Sequence, residues 1–393
     1  MKNWAKISDY LFFQEGPGVR NSQYTTSGVK LINVANLVDG NIDLSTSDRY
    51  ISENEAYGRY KHFLVDEGDF IIASSGIKVE YFDQKMGFVS KRHLPLCMNT
   101  STIRFKSLDK SKLNIRYFMY YLKSKSFKRQ LFKQITGSAQ LNFGPSHLKK
   151  MKFLITDLSS QNTIVSILDN IDDQIRNKKD QLIEYDQLIK SRFVEMFGQC
   201  DLNKRQNNWF KLGNVTEIVT GTTPSTHIEE NWNGKHLWIT PAEIKDDSFY
   251  IYDTERKLSD IGLSSKSLRV MPINTVLLST RAPIGKTAIV GKPMTCNQGF
   301  KNFICKDKLN PIFLYILLKF NTDYLNSIGS GTTFKEISKT VVSNIEIPVP
   351  PIELQNEFAS FVKQVDKLKF VILKCQKHKE NLYFVYNNYK YGS

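Results

Sequence analysis

The sequence has few cysteines, and their arrangement predicts neither a metal site nor a disulfide framework. No two of them form a CxxC pair, and their number is odd. Zinc ribbons need paired cysteines and small secreted folds need an even set, so neither class is supported. This cysteine usage is compatible with a reducing compartment, and we expect a cytoplasmic protein. The five are Cys97, Cys200, Cys296, Cys305 and Cys375.

Long apolar runs are also missing. No stretch reaches the roughly 18 consecutive apolar residues of a membrane-spanning helix. The N-terminal stretch MKNWAKISDYLFFQEG lacks the apolar core of a signal peptide, so none is expected. We therefore expect no membrane association.

Motifs for phosphate transfer, methyl transfer and metal binding are absent as well. The chain contains no GxxxxGK[ST] loop for ATP. It contains no Asn/Asp-Pro-Pro-aromatic tetrapeptide of the kind that grips a flipped adenine, and Val349-Pro350-Pro351-Ile352 is the nearest string. The six histidines form no HxxxH pair. We expect no catalytic, cofactor-binding or metal site in this chain.

What the sequence has in excess is positive charge. It carries 54 Lys and Arg residues against 39 Asp and Glu residues, giving a net charge of +15 and a pI near 9.3. A pI above about 9 is typical of nucleic-acid-binding proteins, because phosphate contacts need cations. With 41% hydrophobic residues the chain can build real cores, and its 393 residues predict two or three domains.

Internal similarity indicates that the chain is a diverged tandem repeat. The segments 113–124 and 309–320 match at a shift of 196 residues. Farther on the shift is 194, and near the start it is 205 to 207. The drift predicts insertions in the first part of each copy and a constant length in the last part. The matched pairs include Trp4/Trp209, Lys6/Lys211, Gly16/Gly221, Gly137/Gly331, Gln161/Gln355, Asn162/Asn356 and Asp172/Asp366.

Each copy opens with short β-like runs punctuated by Gly and Pro, followed by an aromatic-rich helix near 113–133 or 309–327. The predicted fold class is therefore α/β (α+β), in two pseudo-symmetric copies. The predicted boundaries are 1–155 for the first domain, 156–198 for a long helix, 199–208 for a linker, 209–349 for the second domain and 350–390 for a second long helix.

Heptad spacing predicts that the two long helices form an antiparallel coiled coil. The first helix would be about 55 Å long at roughly 1.5 Å per residue, too long to bury its apolar stripe in one small domain. Ser159 or Ser160 is expected to cap it, and Pro351 suits the first turn of the second helix. The predicted seam is Ile164, Leu168, Ile171, Ile175, Leu182, Tyr185 and Ile189 on the first helix, with Phe358, Val362, Val365 and Ile372 on the second.

The chain resembles the specificity (S) subunit of type I restriction–modification systems. In the second copy the resemblance is carried by TVLLSTRAPIGKTAIVGKPMTCNQGF (275–300), GSGTTFKEIS (329–338) and IEIPVPPIELQNEFASFV (345–362). The first copy contributes GDFIIASSGIK (68–78), GSAQLNF (137–143) and FLITDLSSQNTIVSILDNID (153–172).

The resemblance implies that each α/β domain is a target recognition domain for one half of a split site in double-stranded DNA. It implies that the long helices fix the gap between half-sites and dock two methyltransferase subunits. Restriction subunits can join them. S-adenosylmethionine, ATP and Mg²⁺ would belong to those partners, and the S subunit would supply specificity without chemistry.

One departure concerns the loops of the first copy. Ser74, Ser75 and Gly76 stand where the second copy has Ser279, Thr280 and Arg281, and the TTF of 332–334 becomes Ser138-Ala139-Gln140. We therefore expect the two domains to recognise different half-sites.

Polar residues on loops bounded by glycine are the candidates for DNA contact. Asn and Gln suit adenine and Arg and Lys suit guanine, while Ser, Thr and Lys serve phosphates. Arg281, on a tight loop beside Pro283 and Gly285, is the best single candidate. The first copy offers Arg20, Ser74, Ser75, Lys78, Asn99, Gln140, Asn142 and Lys149. The second offers Thr222, Thr223, Thr280, Arg281, Lys286, Asn297, Gln298, Thr332, Thr333 and Lys335.

Each of these candidates also has a structural interpretation. The threonines can close turns, the asparagines can satisfy strand ends, and the lysines can be solvated. The charged helix face with Arg176, Lys179, Asp180 and Glu184 can dock a partner or simply face water. Two other functions stay open. One is a stand-alone nuclease or methyltransferase with an unrecognised active site, and the other is a coiled-coil scaffold that binds only protein.

Overall fold

The computed structural model describes residues 3–134, 142–204, 208–245, 248–266, 268–281, 283–331 and 335–391. It contains two compact units, and each combines one α/β domain with part of both long helices. The first unit comprises residues 1–179 and 374–393, and the second comprises residues 180–373. The unit boundaries thus fall inside the helices, whereas the sequence predicted the helices as elements separate from the domains.

Where the structure describes it, the first unit is built from short strands and five α-helices, the last of which continues into the second unit. The strands are β1 (Asn3–Lys6), β2 (Leu11–Glu15), β3 (Val29–Ile32), β4 (Leu37–Val38), β5 (Asn41–Ile42), β6 (Tyr50–Ile51), β7 (Phe70–Ala73), β8 (Met86–Phe88), β9 (Leu96–Met98), β10 (Thr102–Ser107) and β11 (Lys152–Ile155). The helices are α1 (Glu53–Tyr57), α2 (Ile115–Leu122), α3 (Lys125–Gln134), α4 (Pro145–Leu148) and α5 (Leu158–Phe197).

The second unit repeats this plan and ends in the second long helix. Its strands are β12 (Phe210–Lys211), β13 (Thr216–Thr220), β14 (Trp232–Ile239), β15 (Tyr250–Ile251), β16 (Arg256–Leu258), β17 (Val276–Thr280), β18 (Ile284–Val290), β19 (Met294–Cys296), β20 (Lys301–Cys305) and β21 (Glu346–Ile347). Its helices are α6 (Leu212–Val215), α7 (Asp260–Ser265), α8 (Pro311–Phe320), α9 (Thr322–Ser327), α10 (Lys339–Ser343) and α11 (Ile352–Lys390).

Both units share the order of four main-sheet strands, and the second unit adds β15 at the edge, parallel to β18. The main sheet has the order β2-β10-β7-β8 in the first unit and β13-β20-β17-β18-β15 in the second. A three-stranded sheet, β6-β3-β9 or β16-β14-β19, has one antiparallel and one parallel pair in each unit. The central strands β7 and β17 are buried along their whole length, as expected of apolar runs with neighbours on both sides. The predicted duplication is confirmed.

The strand registers locate the equivalent residues and correct one predicted match. Phe143 N donates to Ser74 O and Ile337 N donates to Thr280 O, both at 3.0 Å. Ser75 bridges Asn142 in the way that Arg281 bridges Glu336. The structural equivalent of Thr280 is therefore Ser74, and that of Arg281 is Ser75. The alignment predicted from sequence placed Ser75 opposite Thr280 and Gly76 opposite Arg281, so it was one residue off here.

The aromatic-rich helices are each broken where one helix was predicted. In the first unit α2 ends at Leu122 and α3 begins at Lys125. The Oγ of Ser124 between them donates to Tyr121 O at 2.6 Å and accepts from Phe127 N at 3.3 Å. Ser124 thus ends one helix and caps the next, a local competition with the helical hydrogen bonds that is common for serine.

The long helix α5 begins at a different cap from the one predicted. Asp157, not Ser159 or Ser160, accepts a hydrogen bond from the Ser160 backbone N–H at 2.8 Å. Its position three residues earlier satisfies the N3 amide, and its charge is favourable at the positive end of the helix dipole. The same interaction lowers the pKa of Asp157.

Within the second unit, the end of α5 packs antiparallel to the start of α11. Arg192 pairs with Glu357 at 2.9 Å, and Asp186 pairs with Lys369 at 2.8 Å. A step forward along α5 therefore matches a step backward along α11. Lys369 continues the heptad spacing of Val362 and Val365, and its largely buried side chain is paired there with Asp186.

The predicted seam residues are buried or half-buried, but they do not contact only the other helix. Ile164 and Leu168 belong to the core of the first unit, together with α2 aromatic side chains. Ile189, Phe358, Val362 and Val365 belong to the core of the second. Ile171 and Ile372 are also buried, whereas Ile175, Leu182 and Tyr185 are half-buried. The apolar side chains of each long helix are therefore buried partly against the other long helix and partly in the core of an α/β domain.

A buried glutamine joins each long helix to its own domain. Gln161, fully buried, accepts from Asn114 N at 2.9 Å and donates to the carbonyls of Lys112 and Thr156. Gln355 makes the same three bonds, with Asn310 N at 2.8 Å and the carbonyls of Lys308 and Pro350. We call these two networks the glutamine clamps.

The asparagine in each clamp has a second role. Asn114 and Asn310 cap α2 and α8 through their side chains, accepting from Arg116 N and Ile312 N. Their side-chain amides also donate to Asn162 and Asn356 at 2.9 and 2.7 Å. The matched pairs Gln161/Gln355 and Asn162/Asn356 therefore connect the long helix to its domain in both copies.

We predict that Gln355→Leu lowers the free energy of unfolding by about 2–3 kcal/mol, because it leaves one amide and two carbonyls without partners. Gln364→Leu, a substitution of the same kind at an exposed position of α11, is the control and should change it by no more than about 0.5 kcal/mol. Chemical denaturation followed by circular dichroism measures both. Equal losses in the two variants would contradict the clamp.

Candidate nucleic-acid interface

In the second unit, the structure brings most of the predicted residues into one set of adjoining loops. Thr223 Oγ1 donates to Gln298 Oε1 at 2.6 Å, and Thr280 N donates to Gly299 O at 2.8 Å. The bridge between Arg281 and Glu336 adds the segment next to Lys335. We call residues 221–224, 279–281, 297–299 and 335–336 the second loop cluster.

Exposure separates the candidates in this cluster. Arg281, Gln298 and Lys335 are exposed, and Thr222, Thr223 and Asn297 are half-buried. The side chain of Arg281 makes no ion pair with any carboxylate in the described parts of the chain. It is therefore free to meet an acceptor outside the protein.

Two candidates of the second copy have structural roles. Thr280 is fully buried, and its Oγ1 lies within hydrogen-bond distance of Gly299 O and Lys301 Nζ. The Lys286 ammonium donates to Ile244 O at 2.7 Å. In this conformation neither group is directed to a ligand, so the structural interpretation holds for both. Thr332 and Thr333 lie outside the described residues.

The first unit contains the equivalent loops, which we call the first loop cluster (residues 16–20, 74–76, 99–101 and 142–143). Gly16 N donates to Thr102 O at 3.0 Å, and Ser74 N donates to Ser101 O at 2.9 Å. Arg20 and Asn142 are exposed and Ser75 is half-buried. Ser74 and Asn99 are buried at 1% and 5% exposure, so their predicted DNA contacts are not available in this conformation.

Two further first-copy candidates lie outside the first loop cluster. Lys78 is exposed just before a 3-10 segment, Val79–Gln84. Lys149 is exposed directly after α4. Gln140 lies outside the described residues.

A glycine lets two of the loops approach closely in each unit. A Cβ on Gly16 would collide with the backbone of Asn99, and a Cβ on Gly221 would collide with the backbone of Cys296 and Asn297. The matched glycines that the sequence singled out therefore serve loop packing, as expected where two backbones touch.

The second loop cluster lies over an ion pair, and the first loop cluster has uncharged residues in the equivalent positions. Lys301 is 7% exposed, and its ammonium lies 3.3 Å from Glu336 Oε1, beneath the Arg281 loop. By strand register, the equivalents in the first unit are Ile103 and Asn142, which form no ion pair. Sequence reasoning missed Lys301, although a lysine that interrupts the apolar strand FKNFICK was a usable signal.

A buried ion pair braces the first unit beside its main sheet. Arg104 donates to the carbonyls of Leu64 and His62 and lies 3.5 Å from Asp69. Burial raises the pKa of Asp69 in spite of Arg104 and Lys106 nearby, since desolvation outweighs both cations. Burial likewise raises the pKa of the Cys97 and Cys296 thiols to about 12, so both stay protonated at neutral pH.

Two further observations concern other kinds of site. No helix in the described parts of the chain has the length and apolarity needed to cross a membrane. Among the same residues, no three His, Cys, Asp or Glu side chains are grouped so that they could hold a metal ion.

Two α/β units with the same core strand order, each with a loop cluster and a share of two long helices, define a duplicated protein of the α/β class. The chain belongs to the family described as the type I restriction modification DNA specificity domain, which matches residues 22–185 and 205–380.

Curated relatives carry the corresponding names. The type I restriction enzyme MjaIX specificity subunit of Methanocaldococcus jannaschii is 38% identical over 186 residues, which is 46% of this chain and 43% of the relative. The putative MjaX specificity subunit of the same organism is 25% identical over 66% of this chain and 63% of the relative. The chain thus matches about half to two-thirds of the length of these relatives.

Solved structures share the fold over almost the whole chain. The S subunit of a type I restriction–modification system from M. genitalium has a TM-score of 0.58 at 14% identity, covering 100% of this chain and 97% of that one. A chain from a structural study of complex assembly in the type I R-M system has a TM-score of 0.55 at 17% identity, covering 98% and 96%. At this identity the likeness concerns the fold alone.

We predict that Gly16→Ala destabilises the protein by about 1–3 kcal/mol, because the added methyl group meets backbone that cannot rotate away. Gly18→Ala is the matched control two residues later, where no atom lies within 4 Å of the new Cβ and the backbone is not left-handed. Thermal melting compares the two variants. A loss in Gly18→Ala as large as in Gly16→Ala would show that the close approach to Asn99 is not the cause.

Proposed function

We propose that this chain is the DNA-specificity subunit of a type I restriction–modification complex and that its two loop clusters bind the two halves of a split site in double-stranded DNA. The observation that carries this proposal is the repeated loop cluster: two units of the same topology present exposed polar loops at the same place. Loops with different side chains recognise half-sites of different sequence. Arg281 in the second loop cluster and Ser75 at the equivalent position of the first are such a difference.

Charge supports the same assignment. The net charge of +15 favours a polyanionic ligand. Binding of this kind releases counterions, so the affinity should fall steeply as salt rises. In this proposal the chain itself performs no chemistry, and the methyl donor, ATP and Mg²⁺ are bound by its partners.

The partners in this proposal are two methyltransferase subunits, with restriction subunits joining them. The long helices offer surfaces for docking, because each keeps exposed apolar side chains after its seam is buried. On the parts of α5 and α11 in the second unit these include Ile183, Leu188, Leu368 and Val371, at 46–57% exposure. Exposed apolar side chains of this kind are candidates for contact with a partner protein.

The experiment that tests the function is co-expression of the chain with its methyltransferase subunit, followed by genome-wide mapping of N6-methyladenine. A two-part motif with a fixed gap is the expected result. A continuous motif, or methylation that does not depend on this chain, would overturn the proposal.

We predict that Arg281→Ala weakens specific DNA binding by about 1–3 kcal/mol, since a guanidinium that contacts a base contributes roughly that much. Arg269→Ala is the control, because Arg269 is also exposed in the same unit but is already bound by the Glu217 carboxylate. Titration of labelled DNA measures both affinities. If Arg281→Ala binds as tightly as the unchanged protein, Arg281 contacts no base.

We predict that Leu368→Ser combined with Val371→Ser weakens association with the methyltransferase subunit by about 10-fold or more, because apolar area loses its partner. Lys363→Ser, at an exposed position of the same helix, removes little apolar surface and serves as the control. Co-purification and sedimentation measure complex formation. Unimpaired assembly of the double variant would remove this surface from the docking site.

A further inference from the structure

Each unit places an arginine at the same position of its three-stranded sheet. Arg256 lies on the edge strand β16, opposite Trp238 of β14. Arg49 lies directly before the edge strand β6, and its carbonyl accepts from Leu31 N of β3 at 2.9 Å. The parallel pairs β3-β9 and β14-β19 make Leu31 the equivalent of Trp238, so Arg49 is the equivalent of Arg256.

Both arginines stack on an aromatic side chain. The Arg256 Cζ lies 3.5 Å from the centroid of the Trp232 ring and 5.2 Å from that of Trp238. The Arg49 Cζ lies 5.3 Å from the centroid of the Tyr24 ring. Stacking of this kind fixes the plane of a guanidinium and leaves its N–H edge available. Few residues are shared between the two copies in this region, yet this arrangement is present in both.

Neither guanidinium is neutralised by a carboxylate in the described parts of the chain. Arg49 and Arg256 are both exposed. Asp48, next to Arg49, pairs with Lys30 instead, at 3.1 Å. Each arginine therefore lies over an aromatic ring, is exposed, and has no carboxylate partner in the described parts of the chain.

The aromatic rings connect the arginines to the loop clusters. Trp238 Nε1 donates to Thr222 O, and Trp232 Nε1 donates to Ser225 O, both at 3.1 Å. In the first unit, Asn99 Nδ2 donates to Tyr24 Oη at 3.5 Å. In each unit the stacked arginine thus lies beside the candidate DNA-binding loops.

The surroundings of Arg256 favour a base over a phosphate. An open pocket of 340 Å³ lies beside it, and its walls include Thr226, Glu229, Asn233, Glu255 and Lys257. Lys257 is paired with Asp253 at 3.0 Å, whereas the two glutamates form no ion pair in the described parts of the chain. Two carboxylates oppose a phosphate group, whereas they are compatible with a base pair. Arginine donates to the O6 and N7 atoms of guanine, and glutamate accepts from the N4 amino group of cytosine.

We propose that Arg256 recognises a guanine in the half-site bound by the second unit and that Arg49 recognises a guanine in the half-site bound by the first. This assignment rests on the proposed DNA-specificity function and adds two specificity-determining residues outside the loop clusters. The ligand chemistry is the major-groove edge of a G·C pair. The rigid stacking lowers the entropy lost when the fork of donors meets that edge.

The test compares the methylation motifs of the complex that carries the unchanged chain, Arg256→Ala, Arg256→Lys or Arg49→Ala. We expect Arg256→Ala to make one guanine position of one half-site degenerate, with a loss of discrimination of about 10- to 100-fold, and to leave the other half-site unchanged. Arg49→Ala should do the same in the opposite half-site. Arg256→Lys keeps the charge but not the fork, so it should lose discrimination as well.

Arg269→Ala is again the matched control, and thermal melting of each variant shows whether it folds. Arg256→Lys supplies the answer if Arg256→Ala does not fold. An unchanged motif in the arginine variants would overturn the assignment. So would a uniform loss of binding to all sequences with a shallower salt dependence, since that marks a phosphate contact. If the unchanged chain itself directs no two-part motif, the proposed function fails, and this assignment fails with it.

Discussion

The structure depends on a buried glutamine side chain that joins each long helix to the α/β domain preceding it in the sequence. Gln161 and Gln355 are fully buried, and each satisfies one backbone amide and two backbone carbonyls of the domain. A buried polar network of this kind holds only one geometry, because every alternative leaves a group without a partner. The domain cap at Asn114 or Asn310 and the start of the long helix are therefore fixed by the same bonds, and the helix direction relative to its domain follows.

The two units share their core strands and differ mainly in the residues of their loop clusters. The order of the four shared main-sheet strands is the same, and even single backbone hydrogen bonds recur, such as those from Phe143 and Ile337. The loop clusters differ instead: the Lys301–Glu336 pair lies beneath one, and Ile103 with Asn142 occupies the same place in the other. A rigid support with exchangeable loops suits recognition of two unlike half-sites, because changes in the loops leave the core contacts intact.

Much of the fold was predictable from local patterns. Apolar runs located the central strands, and heptad spacing located both long helices, since burial of a stripe leaves a period in the sequence. Errors arose where a single side chain decided the outcome. Asp157 replaced the predicted serine caps, Ser124 broke a predicted helix, and a one-residue gap moved the equivalent of Arg281 from Gly76 to Ser75.

The candidate site was predictable only in part. The sequence by itself determined the duplication, the class of each element and the loops in which polar residues gather. Tertiary structure decided which of those residues face outward: Ser74 and Thr280 turned inward, and Arg281 stayed exposed. It also placed Arg49 on Tyr24 and Arg256 on Trp232, residues 24 or 25 positions apart in sequence. Burial and stacking arise from contacts between distant segments, so a local pattern carries no record of them.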